Sequence, residues 1–212
     1  MLLYQKKEKA FPSTVEIDGN VYIINADYRN ILRIFALSKD KNVNEYVRVE
    51  KLSRWFFTEQ EQIEYLFENV SYEFIIRAFV GFINPKDKNG EEIIARSSST
   101  YDEENETEEA ENQFDYDFDA DEIYASFASE YGIDLIEIDF LHWYKFKILL
   151  MNLSSESAFK KKIELRFMDL SHFSGQSLVD MQRAKSAVQL PVEYTDEELR
   201  EMAEFEGLWG RL

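Results

Sequence analysis

The sequence predicts a mainly α fold: a helical bundle with a small N-terminal β-hairpin and a disordered acidic connector. Apolar residues recur at helical spacing through most of the chain. Only three prolines and seven glycines interrupt its 212 residues, which favours long helices over a turn-rich β sandwich. Because 45% of the residues are apolar and 15% are aromatic, the chain has enough side chains for a buried core.

The N-terminal segment, residues 1–84, is predicted to begin with the β-hairpin. Val15 and Ile17 alternate with polar residues, and Val21, Ile23 and Ile24 follow after a short break. The break is Asp18-Gly19, and glycine tolerates the positive φ that a tight hairpin turn requires.

Four helices are predicted to follow the hairpin in this segment. Asn25 or Asp27 is placed to cap the first helix, which ends at the polar residues 38–44. The second helix covers about 45–57, and the spacing of Thr58 and Glu61 predicts a capping box at the start of the third. The fourth covers about 72–82, is rich in Phe and Ile, and is expected to form the centre of the N-terminal core. It should stop at Asn84-Pro85.

Residues 85–113 are predicted to be an acidic flexible linker. Between 97 and 111 the chain carries seven acidic residues, no basic residue, and no large apolar side chain except Tyr101. Such a segment cannot bury enough surface to offset the entropy lost on ordering. It would therefore let the segments on either side move relative to each other.

Residues 114–190 are predicted to form a C-terminal helical module. Its first helix starts after Asp119 or Asp121 and ends at Gly132 as a C-cap. The second helix is expected to begin at Asp134 or Glu137 and to run through the aromatic block to about residue 151. Further helices are expected over 156–168 and, more weakly, 177–190.

Residues 191–212 read as an acidic amphipathic tail. A stripe of apolar residues recurs at helical spacing in it: Leu199, Met202, Phe205 and Trp209. Two interpretations stay open, a last helix docked on the core or an exposed segment that binds a partner.

Composition limits the classes of partner and of chemistry. The formal net charge of −18 argues against direct binding of nucleic acid or of an anionic membrane surface, so the expected partners are proteins. The absence of cysteine excludes disulfides, thiolate metal sites and cysteine nucleophiles. No signal peptide and no apolar run long enough to span a bilayer is apparent.

The alternating acids Asp115, Asp117, Asp119 and Asp121 invite a calcium interpretation. An EF-hand loop starting at Asp115 requires a glycine and a carboxylate where this chain has Ala120 and Ser126, so the pattern fails. Solvated acids opposite buried aromatic rings are the simpler expectation, if the segment is extended.

No catalytic motif is present in the sequence. The two histidines are His142, expected to pack inside a helix, and His172, expected in a turn. Because neither a nucleophile elbow nor a nucleotide-binding glycine loop occurs, we expect no enzymatic activity, no cofactor and no metal. A small metal-dependent enzyme that uses His142 with the acids of 115–121 is the remote alternative.

The stretch from Phe114 to Leu153 contains two distinctive blocks, YGIDL at residues 131–135 and LHWYKF at 141–146. On these blocks the chain resembles the gene-product-fifteen family of bacteriophage proteins, found in phages and prophages of Gram-positive bacteria. The resemblance extends upstream to FP at 11–12 and downstream to IELR at 163–166, and covers about residues 11–190.

The resemblance implies a tail assembly chaperone that binds the tape-measure protein, with the tail-tube protein as a further contact. Such a protein acts in the host cytoplasm during assembly and is absent from the mature virion. A homo-oligomer is compatible with the sequence. The alternative is a structural minor tail or head-tail connector protein that stays in the virion. Surface aromatics would anchor the partner, and we expect Trp143, Tyr144, Lys145 and Trp209 to take part.

Overall fold

A computed structural model describes residues 11–85 and 113–191 of the chain. The described residues form two strands and eight helices, so the predicted mainly α fold with an N-terminal hairpin is confirmed. The predicted acidic connector lies mostly outside the described residues, as does the tail from residue 192 onwards. No helix in the described part of the chain is long and apolar enough to cross a membrane.

The hairpin joins β1 (Thr14–Ile17) to antiparallel β2 (Asn20–Ile23). Its turn residues Asp18 and Gly19 have φ values of 50° and 76°, as a type I′ turn requires at both central positions. The predicted hairpin is therefore confirmed at the predicted turn. Ile17 and Tyr22 face the core, whereas Val21 and Ile23 face outward.

Four helices follow the hairpin: α1 (Tyr28–Lys39), α2 (Glu45–Phe56), α3 (Gln60–Asn69) and α4 (Tyr72–Ile83). Asp27 caps α1 by accepting a hydrogen bond from the Arg29 amide, one of the two caps predicted. The predicted capping box of α3 is wrong. Thr58 lies outside that helix, Glu59 precedes it without a side-chain cap, and the Thr58 amide donates to the Ile23 carbonyl at 3.2 Å.

The C-terminal part contains α5 (Ala120–Tyr131), α6 (Trp143–Met151), α7 (Ala158–Phe167) and α8 (Gly175–Ala187). Gly132 ends α5 with φ of 62°, which confirms its predicted role as C-cap. The predicted start of the next helix at Asp134 or Glu137 is wrong. The Asp134 carboxylate accepts from the amides of Ile136 and Glu137 and forms a local turn instead.

A backbone connection between distant parts of the chain explains the late start of α6. The Tyr28 amide donates to the Leu141 carbonyl at 2.9 Å, and the Trp143 amide donates to the Ala26 carbonyl at 2.7 Å. Together they form an isolated antiparallel bridge between Asp27 and His142, which we term the 27–142 bridge. Residues 141 and 142 are thereby held outside the helix, and α6 begins at Trp143.

The core contains side chains from both halves of the described chain. The ring of Tyr28 stacks on Phe146 with centroids 4.6 Å apart, and Phe82 stacks on Tyr144 at 5.0 Å. The Tyr28 hydroxyl also donates to the Leu135 carbonyl at 2.6 Å. The described parts of 1–84 and 114–190 therefore pack against each other in one core, and their movement as separate modules stays a prediction.

Candidate functional site

Two of the four residues predicted to bind a partner are core residues. Trp143 is 1% exposed and packs between Phe35 and Phe146, and Tyr144 is buried with its hydroxyl donating to the Phe82 carbonyl at 2.6 Å. Lys145 is exposed on the same helix. In this conformation a partner reaches neither ring, so binding through these residues stays a prediction. Trp209 lies outside the described residues.

The predicted position of His142 inside a helix is wrong, because this residue caps α6. Its Nδ1 accepts from the Tyr144 amide at 3.1 Å, and its Nε2 lies 3.0 Å from the Pro12 carbonyl. A carbonyl only accepts, so these contacts assign the neutral tautomer with the proton on Nε2. Phe11 stacks on the imidazole at 5.0 Å. Burial lowers the pKa of His142 below its ordinary value, although the Pro12 contact opposes that shift.

The prediction of solvated acids in 115–121 is wrong for Asp119. Its side chain is fully buried and accepts from Arg166 Nη2 at 2.7 Å and Nη1 at 3.1 Å, while Lys162 Nζ lies 2.9 Å from Oδ1. Burial alone would raise the pKa of Asp119. The hydrogen bonds from Arg166 and Lys162 outweigh it and hold the pKa below its ordinary value. We term Asp119, Lys162 and Arg166 the buried ion cluster.

The neighbouring acids of this segment also serve local structure. The Asp115 carboxylate accepts from the amides of Asp117 and Phe118 and forms an ion pair with Lys39. These bonds fold the segment into a turn, so the extended conformation that the alternation would require is not present. Lys162 Nζ also lies 4.6 Å from the centre of the Phe118 ring, in cation–π range.

The carboxylates of 115–121 are therefore occupied by amides and cations, or exposed. Among the described residues, no group of three or more His, Asp or Glu side chains has the geometry to hold a metal ion. The sequence did carry one overlooked signal for the buried ion cluster. Lys162 and Arg166 are four residues apart, on the α7 face that also presents Phe159, and a buried arginine requires an acid.

An open cavity of about 450 Å³ lies beside the 27–142 bridge. Its charged groups are largely engaged: Arg29 forms two hydrogen bonds with the Asp27 carboxylate and a third with the Asp139 carbonyl. Arg33 lies over the Trp55 ring at 4.8 Å. The Asp27 carboxylate also accepts from the Leu141 amide, so these polar groups brace the bridge. The lining residues are Asn25, Asp27, Arg29, Asn30, Arg33, Asp139 and Phe140.

An exposed apolar surface on α4 is the accessible feature best suited to bind a partner. One side of α4 packs into the core through Ile75, Phe79 and Phe82. The solvent-exposed part of the helix carries Phe74 (49%), Ile76 and Val80 (52%). Ile76 and Val80 lie one turn apart, and the exposed Arg77 lies between them and Phe74 around the helix. We term these four residues the α4 face. The prediction that α4 forms the centre of the N-terminal core thus holds for only one side of the helix.

Comparison with known proteins identifies the family. The family model described as "Bacteriophage Gp15 protein" matches residues 8–190, most of the chain. No curated protein and no solved structure matches the chain significantly. The match spans both halves of the shared core and includes the blocks at 131–135 and 141–146. The chain therefore belongs to the Bacteriophage Gp15 family.

Proposed function

We propose that this protein is a tail assembly chaperone that binds the tape-measure protein of its phage. It acts in the host cytoplasm while tails assemble, contacts the tail-tube protein at that stage, and leaves before the virion is complete. Membership of a bacteriophage family supports the setting. The α4 face is the observation that carries the proposal, because it exposes apolar side chains on a helix of the core.

The α4 face has the geometry of a surface that receives a helix. Its exposed side chains run from Phe74 to Val80, about 9 Å along α4. Amphipathic helices bind such surfaces through apolar anchors about one turn apart. Phe74 is the largest anchor on offer, and aromatic anchors contribute most of the binding energy at protein interfaces.

The charge of the protein favours a partner with basic side chains around its apolar stripe. The helix before the α4 face, α3, carries Glu61, Glu64 and Glu68 on exposed positions and no lysine or arginine. The whole chain has a formal net charge of −18. Such a field speeds encounter with basic segments and suppresses binding of acidic ones.

Co-expression with the tape-measure protein tests this proposal. The wild-type chain should keep the tape-measure protein soluble and co-purify with it. The Ile76→Ser/Val80→Ser variant should weaken binding at least tenfold, about 1.4 kcal/mol. Val21→Ser/Ile23→Ser is the matched control, since it removes two exposed apolar side chains from β2 and should bind normally. Circular dichroism of both variants checks that they fold.

Two results would contradict the proposal. The first is a tape-measure protein that stays insoluble and uncomplexed beside the wild-type chain. The second is detection of this protein by mass spectrometry in purified phage particles, which would favour a minor tail or head-tail connector protein.

Adding EDTA or calcium should leave the melting temperature unchanged, because the proposed activity is binding without a metal.

A further inference from the structure

Helix α8 buries little of its surface against the rest of the described fold. None of the 13 residues of α8 is buried. Its apolar stripe is only half-buried, although a helix docked on a core normally buries its apolar stripe. Val179 on α8 is exposed as well. The half-buried stripe consists of Leu178, Met181 and Ala184, and Val188 continues it at the C-cap.

A large exposed aromatic side chain lies close to the point where the described chain ends. Phe167, the last residue of α7, is 59% exposed. The side chain of its neighbour Arg166 donates to the Val188 carbonyl at 2.6 Å, and the Arg166 carbonyl accepts from the Gln189 side chain at 3.1 Å. Since the described residues end at Pro191, the following segment starts from the surface beside Phe167.

The same side of α7 carries a lysine without a counter-charge. Lys160, Ile163 and Phe167 are spaced i, i+3 and i+7, so they share one side of the helix, which we term the α7 flank. Lys160 is half-buried, and no hydrogen bond or ion pair joins its amine to any described residue. Burial lowers the pKa of Lys160, which a nearby carboxylate would reverse.

The segment that begins at this exit has the matching chemistry. Residues 192–212 carry seven acidic residues against two basic ones, together with the apolar stripe from Leu199 to Trp209. The eight Cα–Cα steps from Pro191 to Leu199 extend at most about 28 Å. The helix α7 is only about 15 Å long, so the stripe reaches any part of the flank.

We propose that the α7 flank is the docking site of this chain's own C-terminal segment, residues 192–212. The apolar stripe of the segment packs against Phe167 and Ile163, and its glutamates face the amine of Lys160. This contact is intramolecular and covers apolar surface that α7 and α8 leave exposed. It involves a surface other than the α4 face and does not depend on the proposed chaperone function.

Because the chain has no cysteine, a single introduced cysteine reports this contact. A nitroxide attached to Glu206→Cys should broaden the backbone amide NMR signals around Lys160 and Phe167, but not those around Ile76 on α4. Adding Phe167→Ser should abolish most of the broadening. The matched control Phe74→Ser removes an exposed phenylalanine from α4 and should leave the broadening intact.

Three outcomes would overturn the proposal. The first is weak broadening spread over the whole surface. The second is broadening that Phe167→Ser leaves unchanged, which would reflect mere proximity to the exit. The third is broadening at Phe167 between two different chains, which would identify a second copy as the occupant. It is measured in a mixture of a nitroxide-bearing chain at natural isotope abundance and a ¹⁵N-labelled chain without nitroxide.

Discussion

Asp119 and Arg166 form a buried ion pair in which each charge has several partners. The carboxylate accepts from Arg166, Lys162 and the Asp115 amide, and the guanidinium also donates to the Gln113 carbonyl. Removing one partner from such a pair leaves the other charge buried without compensation. The intact pair offsets its own desolvation only because its geometry satisfies nearly every donor and acceptor.

We predict that Asp119→Asn lowers the free energy of unfolding by about 3–5 kcal/mol, measured by urea denaturation at neutral pH. Asp117→Asn alters an exposed neighbour and should change the free energy of unfolding by less than about 0.5 kcal/mol. The pKa of Asp119 is lowered in the fold, so its contribution is present above about pH 4 and declines as pH falls through that lowered pKa. Equal effects of the two variants would contradict this account.

His142 should make stability depend on pH in a different range. The neutral imidazole both accepts from the Tyr144 amide and donates to Pro12, and protonation of Nδ1 would remove the cap. Its pKa is lowered in the fold, so the unfolded chain binds protons first. Stability from this residue is therefore present above about pH 6.5 and declines as pH falls below that value.

The measurement is the free energy of unfolding between pH 8 and pH 5 for the wild type and two variants. His142→Asn keeps a capping side chain that does not titrate, so it should lose less stability on acidification than the wild type. His172→Asn changes an exposed turn residue and should follow the wild-type profile. If His142→Asn lost as much stability between pH 8 and pH 5 as the wild type, the cap at His142 would not be the source of this pH dependence.

At the scale of elements, substituting two glycines by alanine tests two separate effects on stability: backbone strain at positive φ and helix propensity. Gly132 adopts φ of 62° at the end of α5, a conformation that alanine resists. Gly81 lies within α4, where a Cβ added to it would meet no atom within 4 Å. We predict that Gly132→Ala destabilises the protein by about 1–2 kcal/mol, and that Gly81→Ala stabilises it by about 0.5–1 kcal/mol. Thermal denaturation of both variants measures the two effects, and shifts of the same sign would contradict the prediction.

Elements governed by local interactions could be predicted from the sequence. The turn at Asp18-Gly19, the cap at Asp27 and the end of α5 at Gly132 depend on residues within a few positions of each other. Apolar periodicity placed most of the helices for the same reason. The family resemblance at 131–146 likewise required only short motifs.

Features governed by distant contacts could not be predicted in this way. The start of α6 depends on residues 26–28, and the burial of Asp119 depends on two cations of α7. Trp143 and Tyr144 were expected at the surface because core and interface aromatics have the same spacing in a sequence. Only the packing against Phe35 and Phe82 distinguishes the two roles.

At the scale of the whole molecule, the shared core predicts that the two halves stay together without a covalent link. We expect that cleavage at a protease site inserted within 97–112 leaves two fragments that co-elute on size exclusion and unfold in one transition. A Phe146→Ser variant, which removes the ring stacked on Tyr28 and Phe127, should release the fragments after cleavage. Separate elution of the wild-type fragments would contradict a single core.

The 27–142 bridge also fixes an order of events on the ribosome. Helix α4 ends at Ile83, but Tyr144, which stacks on Phe82 of that helix, is translated about 60 residues later, which takes about 3–12 s at about 5–20 residues per second. During that interval the nascent chain presents Tyr28, Phe35 and Phe82 without their final cover. The acidic run 97–111 is synthesised in the same interval, and its net negative charge favours the solubility of the incomplete chain.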